Sequence, residues 1–163
     1  MPIFIVDASA MIVLENSCNN RSEFQQVLAS MTTLVNSGNL FCSLLSVKQV
    51  VAYGDNAIVV SWVKMAAANF AFSAPDYHYY DEVFDKCEDI FDPTDTEENP
   101  QAETLALALH TREKIGQQDV VVVTDQWVDS PLVAAQGPAS ANLLLQAIRV
   151  EDFISAMLGV PVP

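Results

Sequence analysis

The sequence is short of basic residues. It has 7 Lys and Arg against 21 Asp and Glu in 163 residues, which gives a formal net charge of -14. A surface with this balance repels phosphate backbones and anionic lipid, so binding of nucleic acid by charge alone is disfavoured. The same surface favours divalent cations or a basic protein partner.

Glycine, cysteine and histidine are scarce as well. Only 5 Gly are present, and they form neither a phosphate-cradling loop nor the Gly-x-Ser-x-Gly turn of serine hydrolases. Cys18, Cys42 and Cys87 are widely spaced, and His78 and His110 lack partners at metal-binding spacing. Neither a disulfide framework nor a zinc site is expected, and the thiols indicate a reducing, intracellular setting.

Long hydrophobic runs are absent. No run approaches the roughly 20 residues of a membrane span, and the N-terminus lacks the pattern of a signal peptide. We therefore expect no membrane association and a cytoplasmic location. Hydrophobic residues nevertheless make up 51% of the chain, which predicts one folded domain over residues 1–163.

Short apolar runs alternate with helical patterns. Strands are predicted over residues 3–6, 40–45, 120–123 and 143–148, with a loop over 128–141. Helices are predicted over residues 8–15, 22–37, 46–53, 56–72, 76–91, 100–115 and 151–158, with Ser22 and Gln25 as a capping box and Ser46 as a cap. The alternation predicts an α/β fold, a three-layer α/β/α sandwich with a short parallel sheet.

Two acidic residues end predicted strands. Asp7 follows the first strand in the run FIVDASAM, and Asp125 follows the apolar strand 120–123 and Thr124. Because parallel strands end at one edge of a sheet, where ligands gather, both carboxylates are expected there. Their repulsion must be relieved by a proton or a cation, and oxygen ligands of this kind suit Mg²⁺ or Mn²⁺.

Four further residues are candidates for the same site. Glu103 lies in the first turn of the predicted helix 100–115, and Asp129 follows in the loop after Asp125. Ser9 and Thr124 flank the two strand-end acids and could orient them by hydrogen bonds. Each acid also has a purely structural interpretation, as a helix cap, a turn residue or an ordinary first-turn acid. The residue pattern leaves both interpretations open.

Three segments resemble the PIN-domain superfamily: VDASAMIVL, PQAETLALALHTREKIG and DVVVVTD. In that superfamily the first strand ends in Asp with Ser or Thr two residues later. A later helix carries an acid ahead of an Ala- and Leu-rich run, and the next strand ends in Thr-Asp. The C-terminal run LLLQAIRVEDFISAML is also similar to the last strand and helix of that fold.

The resemblance implies a metal-dependent nuclease. Asp7, Glu103 and Asp125 would be catalytic residues that bind Mg²⁺ or Mn²⁺, with Asp129 as an accessory ligand, and RNA phosphodiesters would be hydrolysed by metal-activated water. Similarity to toxin ribonucleases of bacterial toxin–antitoxin pairs further implies a basic antitoxin-like partner. Many PIN proteins pair, which implies a homodimer.

Two positions depart from the superfamily pattern. A Glu is expected in a Val-x-x-Glu-Leu setting after the second strand, but this chain has VKQVV, which puts Val50 there. Asp55, at the following turn, is a weak candidate to replace it. Asn99, which precedes Pro100, competes with Glu103 for the helical acid position and would put a neutral amide there. A site with one fewer carboxylate binds Mg²⁺ weakly.

The acids are concentrated in one segment. Residues 76–103 contain 11 of the 21 acids and one Lys or Arg, Lys86. The helix predicted there would carry Tyr77, Tyr80 and Phe84 on one face and acids on the other, either as a solvated surface or as a site for a basic protein. This segment supports an alternative function: a catalytically inactive PIN-like protein that binds a partner through its acidic surface.

Overall fold

The four strands of the sheet run parallel and end at the same edge. The structure, a computed structural model, describes residues 2–70, 74–87, 90, 99–115, 119–129 and 135–160. The strands are β1 (Ile3–Val6), β2 (Leu40–Phe41), β3 (Val120–Val123) and β4 (Gln146–Ile148), in the spatial order β2-β1-β3-β4. Val6 pairs with Val123, and Val123 pairs with Ile148, so the carboxyl ends of β1, β3 and β4 lie side by side.

The described residues form eight helices, which cover both faces of the sheet. They are α1 (Ala8–Ser17), α2 (Arg21–Asn36), α3 (Leu44–Tyr53), α4 (Ala57–Ala67), α5 (Tyr77–Lys86), α6 (Pro100–Ile115), α7 (Gln136–Asn142) and α8 (Val150–Leu158). One core cluster joins α1, α2, α3, α4 and α8 to Phe4 and Val6. The other joins α5, α6 and α7 to Ile3 and Ile5. The predicted three-layer α/β/α sandwich is confirmed.

Burial on both faces explains why β1 and β3 are uniformly apolar. All four residues of each strand are buried, and successive side chains point to opposite helical layers. The predicted bounds of both strands are confirmed. The second strand was expected over residues 40–45 but contains only Leu40–Phe41, because Ser43 already caps α3.

Two predicted helix caps are wrong. α2 is capped by Asn20, whose side chain accepts a hydrogen bond from the backbone N–H of Glu23, and not by Ser22. α3 is capped by Ser43, whose hydroxyl accepts from the N–H of Ser46 at 3.1 Å. Both true caps have extended backbone and lie next to free N–H groups of the first turn, which is the geometry a cap requires.

The buried face of α5 also differs from the prediction. Tyr79 and Val83 are its buried residues, whereas Tyr77 is 80% exposed and Phe84 is 38% exposed. Tyr79 donates a hydrogen bond to Glu113 of α6 at 2.6 Å, so this side of α5 is turned toward α6. Residue 91, where the predicted helix ends, lies outside the described residues, as do all the acids between α5 and α6.

The predicted loop over residues 128–141 contains a helix, α7. Its second and third residues are Gly137 and Pro138, and proline is compatible with a first helical turn because its missing N–H would have no intrahelical partner there. α4 was expected to reach residue 72 but ends at Ala67. None of the helices among the described residues has the length and apolarity needed to cross a bilayer.

Candidate functional site

The ends of β1 and β3 bring the segments of Asp7 and Asp125 together. The backbone N–H of Asp7 donates to the carbonyl of Val123 at 3.0 Å. The hydroxyl of Ser9 donates to Asp7 Oδ1 at 2.7 Å and accepts from the backbone N–H of Asp125 at 3.0 Å. Ser9 therefore links the carboxylate at the end of β1 to the backbone at the end of β3.

Thr124 holds the other side of this junction. It is fully buried, and its hydroxyl oxygen lies 3.3 Å from that of Ser9 and accepts from the N–H of Gln126 at 3.1 Å. Its carbonyl accepts from the indole N–H of Trp127 at 2.9 Å. The loop that carries Asp125 is thus fixed by hydrogen bonds on both sides of that residue.

Asp7 is a buried carboxylate in an unfavourable electrostatic position. It is 5% exposed, and burial raises its pKa above the ordinary value of 3.8, while hydrogen bonds from Thr124, Ser9 and Ala10 oppose the rise. The negative charge of Asp125 raises the pKa of Asp7 further. No Lys or Arg of the described residues forms an ion pair with Asp7. A carboxylate in this situation gains from a proton or a cation.

Asp125 is the more accessible of the two acids. Partial burial and the nearby Glu151 raise its pKa above 3.8, and Arg149 acts in the opposite direction. In the described part of the chain no Lys or Arg lies within ion-pair distance of its carboxylate. Asp125 therefore presents a solvent-accessible carboxyl group near the buried carboxyl group of Asp7.

Glu103 is held by other partners. It is 6% exposed, Oε1 accepts from the N–H of Leu45 at 2.8 Å, and Oε2 accepts from the hydroxyl of Tyr80 at 2.9 Å. The carboxylate thus lies at the N-terminus of α3, where negative charge is favoured, and joins α3 and α6 to α5. This geometry is that of a structural anchor, and a role for Glu103 as a metal ligand stays a prediction.

Asn99 and Asp129 each bind backbone groups. Asn99 Oδ1 accepts from the N–H of Ala102 at 3.1 Å and so caps α6, while its amide nitrogen donates to the carbonyl of Ile90 at 3.3 Å. Asp129 Oδ1 accepts from the N–H of Ala135, the residue before α7, at 2.7 Å. The geometry adds no ligand role to either residue.

The position of the missing Glu is a core position. Val50 is 1% exposed and belongs to the cluster that contains α1 and α8. Asp55 is exposed in the turn that follows α3, and the neighbouring Asn56 caps α4. Neither residue supplies a carboxylate beside Asp7.

Among the described residues, the site contains two acids, Asp7 and Asp125. Among the residues that the structure describes, no three His, Cys, Asp or Glu side chains lie together as a metal-binding group. Mg²⁺ is bound in proteins through one or two carboxylates, with waters and substrate phosphates filling its other positions. Asp7 and Asp125 fit an ion held in that manner.

Two residues at this edge were not expected from the sequence. Arg149 directly follows β4, and its guanidinium carbon lies 4.6 Å from the centre of the Trp127 ring. Trp127 packs on Gly137, where an added Cβ would lie 2.5 Å from the ring atom Cε3. The strand-end rule that predicts Asp7 and Asp125 at this edge applies equally to Arg149, because Arg149 follows the last strand.

Comparison with known proteins assigns no family. The chain matches no protein-family model, and no curated protein or solved structure matches it. The chemistry of the carboxyl edge of the sheet is therefore the structural basis for a functional proposal.

Proposed function

We propose that the protein is a Mg²⁺- or Mn²⁺-dependent ribonuclease of PIN type that hydrolyses RNA phosphodiesters. The proposal rests on one observation, the pair of Asp7 and Asp125 at neighbouring strand ends without a Lys or Arg ion pair in the described residues. Two adjacent carboxylates without an ion pair to a Lys or Arg are costly to the fold. Such an arrangement is typical of functional sites, where a bound ion relieves the cost.

The two acids have different roles in this proposal. Asp7, fixed by Ser9 and Ala10, is the rigid ligand, and Asp125 is the accessible one. A bound divalent ion would supply an activated water and neutralise charge on the phosphate. Ser9 and Thr124 keep the Asp7 carboxylate in one orientation, so little reorganisation is needed when the site is loaded.

Thermal stability in a Mn²⁺ titration tests the metal site. At about 100 times the dissociation constant, a ligand specific to the native state stabilises it by about 2.7 kcal/mol, which corresponds to a rise in Tm of about 5 °C or more. We expect this rise in the parent protein and in Asp119→Asn, and a flat response in Asp7→Asn. Asp119 is the matched control because it precedes β3 at the opposite edge of the sheet.

Cleavage of a fluorescent single-stranded RNA tests the activity. The parent and Asp119→Asn should cleave with Mn²⁺ and stop cleaving with a chelator. Asp7→Asn and Asp125→Asn should each lose about 100-fold or more of the rate, because each removes charge that would hold the ion. A parent protein that neither gains stability nor cleaves RNA with Mn²⁺ would refute the ribonuclease proposal.

A second candidate function is binding of a basic protein by a catalytically inactive PIN-like fold. It is favoured by the buried Val50 and by the two protein hydrogen bonds on the Glu103 carboxylate. The surface in this case is α5, where Asp81 and Asp85 are exposed. An antitoxin-like partner with a Lys- and Arg-rich segment fits this charge.

The same experiments separate the two functions. If Mn²⁺ has no effect, binding of a Lys-rich peptide should still be measurable and should weaken steeply with salt. The double substitution Asp81→Lys and Asp85→Lys should reduce this binding by about tenfold or more, whereas Asp7→Asn should leave it unchanged. Equal binding by the α5 variant would rule out this surface.

A further inference from the structure

We infer that Arg149, stacked on Trp127, is a phosphate-binding residue that positions the RNA backbone against the carboxylate pair. The inference deepens the proposed ribonuclease function and rests on it for the identity of the substrate. It concerns a residue that none of the PIN-like segments suggested as part of the site.

The position of Arg149 follows from the sheet. β4 pairs with β3, and the backbone N–H of Thr124 donates to the carbonyl of Ile148 at 3.3 Å. Arg149 is the next residue after Ile148, so it lies at the same carboxyl edge as Asp125. Its charge is near enough to lower the pKa of the Asp125 carboxyl. Of the seven basic residues, Arg149 alone directly follows a strand of the described sheet.

The guanidinium is held over the Trp127 ring and not by hydrogen bonds from its own donors. Trp127 is fixed by its bond to the Thr124 carbonyl and by close packing on Gly137, and Arg149 lies over its ring. Stacking of this kind leaves the N–H groups of the guanidinium at its rim. Within the described ranges those groups have no hydrogen-bond acceptor and no ion-pair partner.

The chemistry of this arrangement selects a phosphate. A planar, pre-oriented guanidinium with unspent donors matches the oxygens of a phosphodiester by two parallel hydrogen bonds. The neighbouring side chains of Asp125 and Glu151 are carboxylates, which have no N–H donors for a phosphate. The net charge of the molecule also repels RNA. Arg149 thus offers a local positive charge at the one edge where the proposed reaction needs a phosphate.

A purely structural role is the competing explanation. In that role Arg149 would only offset the negative charges of Asp125 and Glu151. Loss of Arg149 would then alter stability and its pH dependence but would leave the affinity for RNA unchanged. The two explanations therefore differ in a quantity that can be measured directly.

Binding of a labelled single-stranded RNA, followed by fluorescence anisotropy with a chelator and with Ca²⁺, tests the inference. We expect Arg149→Met to weaken binding by about tenfold and Arg149→Lys to restore part of the loss, because Lys keeps the charge without the planar fork. The slope of log K against log salt should fall by about 0.7, the value for one phosphate contact on a single strand.

Lys114→Met is the matched control. It removes the same charge from the last turn of α6, which leads into the opposite edge of the sheet, and it should change RNA affinity by less than about twofold. With Mn²⁺, Arg149→Met should raise KM for RNA more than it lowers kcat and should keep the Mn²⁺-induced rise in Tm. A larger effect on KM than on kcat, with an unchanged rise in Tm, distinguishes a loss of substrate positioning from a loss of metal binding.

The outcomes distinguish this inference from the ribonuclease proposal. If Mn²⁺ has no effect but RNA binding depends on Arg149, the ribonuclease proposal fails and the phosphate site stands. If the parent cleaves RNA but Arg149→Met binds and cleaves it within twofold of the parent, the phosphate site is overturned alone. A parent protein with no measurable affinity for RNA in any condition overturns both.

Discussion

Asp7 combines a stabilising contact with a destabilising charge. Its Oδ1 caps α1 by accepting from the N–H of Ala10 at 2.9 Å. The same carboxylate is buried, with a raised pKa, next to the charge of Asp125. An Asn at this position would preserve the cap and remove the charge. The residue type therefore indicates a requirement other than stability.

We predict that Asp7→Asn stabilises the protein at neutral pH. A raised pKa means that the folded protein binds the proton more tightly than the unfolded chain, so stability falls as pH rises from about 4 through the folded-state pKa. The Asn variant lacks this loss, so its advantage should be largest at neutral pH and should shrink below about pH 4. Urea unfolding of parent and variant between pH 3 and 8 measures the difference.

Asp119→Asn serves as the control for this pH series, since it makes the same chemical change at an exposed position. Its free energy of unfolding should stay within about 0.5 kcal/mol of the parent value at every pH. A lower stability of Asp7→Asn at neutral pH would show that the charged form of Asp7 is compensated inside the protein, and this would contradict the electrostatic description of the site.

Gly137 is required by its contact with Trp127. A Cβ at this position would lie 2.5 to 2.7 Å from three atoms of the indole ring, which is itself tied to the Thr124 carbonyl and covered by Arg149. We predict that Gly137→Ala destabilises the protein by about 1–3 kcal/mol because the ring must move. Urea unfolding measures this cost.

Gly159→Ala is the control for that substitution. An added Cβ there would have its nearest contact at 3.5 Å, an ordinary distance, so the change in stability should be below about 0.5 kcal/mol. Equal effects of the two substitutions would show that the Trp127 ring is not held in place. The Arg149 stack would then lack the rigid support on which its phosphate site depends.

At the scale of elements, the starts of α1, α2, α3 and α4 each depend on one capping side chain. Asp55 and Asn56 both precede α4 and both are residue types that cap helices, and Asn56 is the cap, with its Oδ1 accepting from the N–H groups of Ile58 and Val59. We predict that Asn56→Ala costs about 1 kcal/mol of stability, whereas Asp55→Ala changes it by less than about 0.5 kcal/mol. Urea unfolding of both variants decides between them, and a larger cost for Asp55→Ala would assign the cap to that residue.

The local sequence is sufficient to predict the bounds of an element where the segment has one strong pattern. The bounds of β1, β3 and α6 follow from continuous apolar runs and from Pro100 at the first helical position. The strand-end rule also predicts the positions of Asp7 and Asp125 from the sequence alone, because parallel strands share an edge. These inferences need only the chain order and the side-chain period.

Contacts between residues far apart in the sequence determine the features that local patterns could not predict. The buried face of α5 is set by Tyr79, which bonds to Glu113, a residue 34 positions later. Glu103 is bound by Leu45, 58 positions earlier, so its role depends on how α3 and α6 pack. Amphipathic patterns specify that a face is buried, but a helix with aromatic residues on two sides leaves the choice of face to its neighbours.

The whole molecule carries a strong negative field. A net charge of -14 on 163 residues makes the folded state repel itself, and monovalent salt should relieve this repulsion. We expect Tm to rise by a few degrees between about 20 and 200 mM NaCl in the parent and in every single-site variant. A fall in Tm over this range would contradict a stability limited by self-repulsion.

The same field makes the effect of divalent ions ambiguous at low salt, since Mn²⁺ also screens surface acids. At 200 mM NaCl the screening length is below about 8 Å, so diffuse binding of Mn²⁺ to the surface contributes little. A site formed by Asp7 and Asp125 is less affected, because a buried carboxylate is shielded from bulk ions. We therefore predict that the Mn²⁺-induced rise in Tm persists at 200 mM NaCl in the parent and is absent in Asp7→Asn. A rise that disappears with salt in both proteins would identify Mn²⁺ as a general counterion and remove the metal site on which the ribonuclease proposal depends.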